Sequence, residues 1–173
     1  MSEQGPQAVV VGPPGAGKTT VGRLIAQSLG VEFRDVDHDI EQAAGKPISD
    51  IFTEDGEPHF RRLERAAVAA ALTEHQGVLS LGGGAVLAEE TRTLLKAHRV
   101  VFLAVGMAEG VKRTGMSSAR PLLAGINPRA TYKALLDARL PLYREVASIE
   151  IDTDRNTEEE VAEQAVARLK ELA

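Results

Sequence analysis

The run Gly12-Pro13-Pro14-Gly15-Ala16-Gly17-Lys18-Thr19 fits the pattern G-x-x-x-x-G-K-[ST] at every fixed position. It stands between a short apolar run, Gln7 to Gly12, and an amphipathic one, Lys18 to Leu29, the strand–loop–helix setting that this motif requires. Glycines let the backbone fold around a phosphate with N–H groups pointing inward. The start of the helix adds unpaired N–H donors and a favourable dipole. Lys18 supplies a point charge for the β- and γ-phosphates, and the Thr19 hydroxyl is a ligand for Mg²⁺. Pro13 and Pro14 carry no N–H, so the donors of the cradle must come from Gly15, Ala16, Gly17, Lys18, Thr19 and Thr20. A full match in this context favours a nucleoside-triphosphate cradle over a Gly-rich turn that binds nothing.

Four further groups stand out by type and spacing. Asp35-Val36-Asp37 closes the second strand, at the end of the sheet where open α/β folds bind ligands. Strand alternation would turn both carboxylates to one side, one near the Mg²⁺ shell and one accepting a hydrogen bond from an attacking hydroxyl. Arg61 and Glu64 share a helix face, which lets Glu64 orient the guanidinium, although spacing alone favours a surface ion pair worth little. Gly82-Gly83-Gly84 follows a strand and reads equally as a tight turn or as a close approach of backbone to substrate. Arg120 falls in a Gly/Pro/Ser/Asn-rich stretch, and Arg139 follows on the next helix. A cation on a loop that closes over the nucleotide would neutralise transition-state charge.

Apolar and helical periods place these groups on alternating strands and helices. Strands are predicted at 7–12, 32–37, 77–81, 99–105 and 148–151, and helices at 18–29, 40–72 with breaks near Gly45 and Gly56, 89–97, 108–114, 130–145 and 157–172. Thr157 and Glu160 have capping-box spacing. The pattern predicts one doubly wound α/β domain over 1–173, a parallel sheet of about five strands flanked by helices, of the P-loop NTPase type. Residues 38–64 and 115–129 are expected to be substrate-binding and lid insertions.

Composition narrows the class. The 173 residues are 43% hydrophobic and 26% charged, with net charge −5, which argues against a nucleic-acid binder. Two Tyr, four Phe and no Trp leave little for a base-stacking platform. No apolar run approaches the roughly 20 residues needed to cross a bilayer, and Met1 to Gln7 lacks a signal-peptide layout. Without cysteine, and with four histidines at unpaired spacings, no structural metal site is expected. A cytoplasmic monomer without nucleic-acid or membrane partners is the expectation. A kinase is favoured over a nucleotide switch, and gluconate or nucleoside-monophosphate kinases compete within that class.

Taken in order, GPPGAGKTT (Gly12 to Thr20), DVD (Asp35 to Asp37), FRRLE (Phe60 to Glu64), LSLGGGAV (Leu79 to Val86), RPLL (Arg120 to Leu123) and Arg139-x-x-x-Tyr143 resemble the shikimate kinase family over nearly the whole chain. The resemblance implies phosphorylation of the shikimate 3-hydroxyl by ATP, with Mg²⁺, in aromatic amino-acid biosynthesis. It also implies that Asp37, Arg61, Gly83 (with Gly82 and Gly84) and Arg139 bind shikimate, that Arg120 is the lid arginine reaching the phosphates, and that Arg113 stacks near adenine. Asp35 and Ser80 would sit in the outer Mg²⁺ shell. The chain departs from the family's Arg-x-x-Asn-Pro near the adenine, reading Asp154-Arg155-Asn156-Thr157, which bears on how closely Arg155 covers the base. Lys18, Asp37 and Arg120 are the expected catalytic residues. Whether Asp37 is a general base or a positioning acceptor is left open by the sequence.

Overall fold

A computed structural model of the chain describes residues 5–114 and 128–173. Arg120 and the RPLL run lie outside the described residues, so the expected lid has no structural account. Five strands form one sheet: β1 (Ala8–Val11), β2 (Phe33–Asp35), β3 (Val78–Ser80), β4 (Val100–Ala104) and β5 (Ile149–Asp152). All four pairings are parallel, and the strand order is β2-β3-β1-β4-β5. Around it run α1 (Lys18–Leu29), α2 (Val36–Ala44), α3 (Ile48–Asp55), α4 (Glu57–Glu74), α5 (Glu89–Leu95), α6 (Met107–Thr114), α7 (Pro128–Val146) and α8 (Glu158–Leu172).

The central strand β1 is Ala-Val-Val-Val, buried throughout, as a strand covered on both faces must be. Its side chains alternate between two cores. Ala8 and Val10 join Val101, Leu103, Ile149 and Ile151 beneath α1 and α8, through Ile25, Ala26, Ala165 and Leu169. Val9 and Val11 join Leu79, Leu81, Val100 and Phe102 on the opposite face, beneath Ile40, Ile51, Phe60 and Val68 of α2 to α4. Helix α1 stops at Gly30, which takes the left-handed conformation (φ 70°). The capping box of α8 is present in both directions: Thr157 Oγ1 accepts from Glu160 N, and Glu160 Oε1 accepts from Thr157 N.

One local expectation needs correcting. Strand β2 ends at Asp35, and Val36 already begins α2. Asp35 is the N-cap of that helix, its Oδ1 accepting from Asp37 N at 3.0 Å. Strand alternation therefore does not align Asp35 with Asp37; a strand-to-helix corner does. The 38–64 segment comprises most of α2, then α3, then the start of α4, with the breaks at Gly45 and Gly56 where they were expected.

Candidate active site

The loop after β1 wraps on glycine. Gly12, Gly15 and Gly17 all have positive φ, 156°, 85° and 85°. At Gly12 a Cβ would lie 2.6 Å from the Leu103 carbonyl oxygen, so the loop can leave the sheet only on a residue without a side chain. Lys18 Nζ donates to the Pro13 carbonyl at 3.1 Å.

Two cavities meet at this loop. One, of about 500 Å³, is lined by Gly15, Ala16, Gly17, Arg113, Thr153 and Asn156 with the first turn of α8. Arg113 is a strut across it. Its guanidinium donates to the Gly15 carbonyl (3.1 Å), to Thr153 Oγ1 (2.9 Å) and to the Thr153 carbonyl (2.9 Å), while Nε donates to Glu109 (3.1 Å). Arg155 is exposed and does not line this cavity; Asn156 and Thr157 do.

The other cavity, of about 370 Å³, is lined by Lys18, Thr19, Thr20, Asp35, Asp37 and Ser80 among others. Thr19 Oγ1 donates to Asp35 Oδ2 at 3.3 Å. Burial, and then the neighbouring Asp37 carboxylate, push Asp35 above its ordinary value, against opposing hydrogen bonds from Asp37 N and Thr19 and the charge of Lys18. A half-buried carboxylate beside a second carboxylate and a hydroxyl is an oxygen donor set that suits a divalent cation. These residues fit Mg²⁺, even though no cluster of three or more His, Cys, Asp or Glu side chains occurs among the described residues.

Beyond Asp37 the site changes character. Arg61 Nη1 donates to Glu64 Oε1 at 2.8 Å, and Glu64 is only 3% exposed. The surface ion pair favoured by spacing alone is thus overturned: Arg61 is half-buried and Glu64 buried, so that removing Arg61 would strand the Glu64 carboxylate inside the protein. Arg139 is 7% exposed. Burial lowers its pKa, Arg61 adds to the shift, and Tyr143 and Glu64 oppose it. Among the described residues Arg61 Nε finds no acceptor although buried. Two such guanidiniums favour a planar anion that can take several N–H donors at once.

The three glycines clear the space between these groups. A Cβ on Gly82 would come 2.8 Å from Asp37 Oδ1 and 3.1 Å from Glu64 Oε2. One on Gly83 would come 3.1 Å from Pro14 Cδ, and one on Gly84 would lie 2.6 Å from Arg61 Cζ. The turn is both tight and a close approach, and the side chains that crowd it belong to the site itself. Tyr143 OH donates to the Gly83 carbonyl at 2.5 Å and fixes the turn from α7.

Thr153, which anchors Arg113, left no mark in the sequence. Tyr143 was visible in a motif without a partner, and Tyr132, which donates to the Pro14 carbonyl, was not singled out at all. The signal available was their rarity, since these are the chain's two tyrosines.

A triphosphate cradle that opens onto a second, anion-seeking pocket has a donor side and an acceptor side, and this makes the chain a P-loop kinase acting on a small molecule. The model of the shikimate kinase family matches residues 14–170. A shikimate kinase of Saccharopolyspora erythraea is 67% identical over 164 residues, spanning 95% of this chain and 94% of that protein. One from Salinispora arenicola is 57% identical over 164 residues, spanning 95% and 98%. The solved structure of a shikimate kinase from Acinetobacter baumannii in complex with shikimate superposes with a TM-score of 0.93 at 38% identity, covering 98% of this chain and 94% of that one. The chain belongs to the shikimate kinase family.

Proposed function

We propose that this protein transfers the γ-phosphoryl group of ATP to the 3-hydroxyl of shikimate, giving 3-phosphoshikimate and ADP, a step of aromatic amino-acid biosynthesis. The observation that carries the reading is a pair of guanidiniums, the buried Arg139 and the half-buried Arg61, gathered with Asp37 around the Gly82–Gly84 turn beside the phosphate cradle.

The backbone N–H groups of Gly15 to Thr20 and the Lys18 ammonium hold the phosphate chain, and Arg113 lines the cavity beside them that would take the adenine, whereas the exposed Arg155 stands outside that lining. Arg61 and Arg139 hold the shikimate carboxylate, and Gly82, Gly83 and Gly84 give the ring room. Asp37 accepts a hydrogen bond from the attacking hydroxyl and orients it in line with the γ-phosphorus. Because phosphoryl transfer has a loose transition state, that orientation carries more of the rate than full proton removal. Arg120 neutralises charge on the transferring group. Thr19 would hold Mg²⁺ directly, with Asp35 and Ser80 acting through water. Bound there, the ion neutralises charge on the β- and γ-phosphate oxygens. The protein acts as a cytoplasmic monomer.

The test is a coupled ADP-release assay with Mg-ATP and, separately, shikimate, gluconate, AMP and CMP. Turnover confined to shikimate is the expected result. Tight ATP binding without turnover of any acceptor would leave a nucleotide-binding module and remove the acceptor assignments.

A further inference from the structure

We propose that Tyr132 is a positioning residue for phosphoryl transfer: from α7 it holds the Pro14–Gly15 peptide so that the first N–H of the phosphate cradle points at the nucleotide. The proposal rests on reading the Gly12–Thr19 loop as that cradle. Tyr132 is 1% exposed, and its hydroxyl donates to the Pro14 carbonyl at 2.6 Å. Its ring occupies the space that a Cβ on Gly110 of α6 would need.

The covalent chain cannot hold this peptide by itself. Rotating a peptide plane requires freedom in ψ of the residue before it and φ of the residue after it. Proline fixes its own φ but leaves ψ open, and glycine leaves φ open. Residue 14 is proline and residue 15 is glycine, at φ 85°, so the plane between them is free to turn. All peptides described are trans, and in a trans peptide the N–H points away from the carbonyl. Fixing the Pro14 oxygen on Tyr132 therefore aims the Gly15 N–H to the opposite side. Since Pro13 and Pro14 have no N–H, Gly15 is the first residue able to donate.

A second contact supports the same placement. Helix α6 closes on Gly15, where a Cβ would come 3.1 Å from Thr114 Cγ2 and 3.4 Å from the Gly110 carbonyl. Arg113 holds the next carbonyl, that of Gly15, at 3.1 Å. Successive carbonyls of the loop are thus gripped by α7 and α6, and burial, which raises the Tyr132 pKa well above its ordinary value, keeps the phenol a neutral donor.

The experiment compares wild type with Tyr132→Phe, which keeps the ring and removes only the hydroxyl. Titration calorimetry with MgADP and steady-state kinetics with ATP and shikimate are the readouts, with Tm as a control. MgADP Kd should rise about fivefold and kcat should fall by about as much, the size of one hydrogen bond between neutral groups, while the KM for shikimate stays put. Gly110→Ala, which displaces the ring, should move the same two quantities in the same direction. Wild-type Kd and kcat in Tyr132→Phe would overturn the proposal. So would a lower Tm with equal losses toward both substrates, which would mark a packing role only. If wild type binds MgADP but does not phosphorylate shikimate, the acceptor reading fails, and the Kd comparison alone still decides for or against Tyr132.

Discussion

The two halves of the proposed site offer an anion different materials. On the nucleotide side a glycine-rich loop offers main-chain N–H donors beside the Lys18 side chain, open to cavities of about 500 and 370 Å³. On the acceptor side they are charged side chains, the buried Glu64 and Arg139 and the half-buried Arg61, beside glycines that leave room for them. A backbone cradle suits phosphates because every nucleotide presents the same oxygens. A pocket of desolvated side chains suits discrimination, because an acceptor that leaves a buried guanidinium unpaired incurs the full cost of that burial.

That contrast can be broken at three points. Asp37→Asn, at the boundary, keeps the shape and removes the charge proposed to orient the hydroxyl. It should lower kcat by about 10²–10⁴ with MgADP affinity unchanged in calorimetry. An unaltered kcat would take Asp37 out of the chemistry. Arg139→Met tests the acceptor half alone, and the KM for shikimate should rise by about 10–100-fold with ATP KM nearly constant. Because burial already opposes the charge on Arg139, the Met variant should keep its Tm. Loss of ATP affinity instead would mean the two halves are not separate.

The smallest effect concerns Asp35. Its folded-state pKa is raised, so its ionised form weakens the ligand-free fold at neutral pH, and the penalty vanishes as pH falls through that raised value. Asparagine can still cap α2. Asp35→Asn should therefore have a slightly higher Tm than wild type at about pH 7, and the gap should close toward about pH 4. A gap independent of pH, read by calorimetry, would rule out this origin.

The nucleotide half was legible in the sequence because its constraint is local: eight consecutive residues between a strand and a helix state the whole geometry. The helices and strands were legible for the same reason, down to the breaks at Gly45 and Gly56. The acceptor half brings together α2, α4, the turn after β3 and α7, and no spacing rule connects residue 61 with residue 139. The motifs in sequence order identified that half by resemblance, while the residue spacing of Arg61 and Glu64 pointed to the surface. Burial, which turns a weak pair into a structural one, is a property of the fold. The corner at Asp35–Val36 was misread because a three-residue strand and an N-cap share the same short extended run.

Helix α7 sends one tyrosine to each half, Tyr132 to Pro14 and Tyr143 to Gly83, and the chain has no tryptophan. The protein thus carries its own optical labels. Tyrosine emission comes from two rings, each hydrogen-bonded to the backbone of a different half of the proposed site. In Tyr132→Phe the remaining emission reports the acceptor side, and in Tyr143→Phe it reports the nucleotide side. Titrating each variant with one substrate at a time would follow the filling of either pocket without an attached dye.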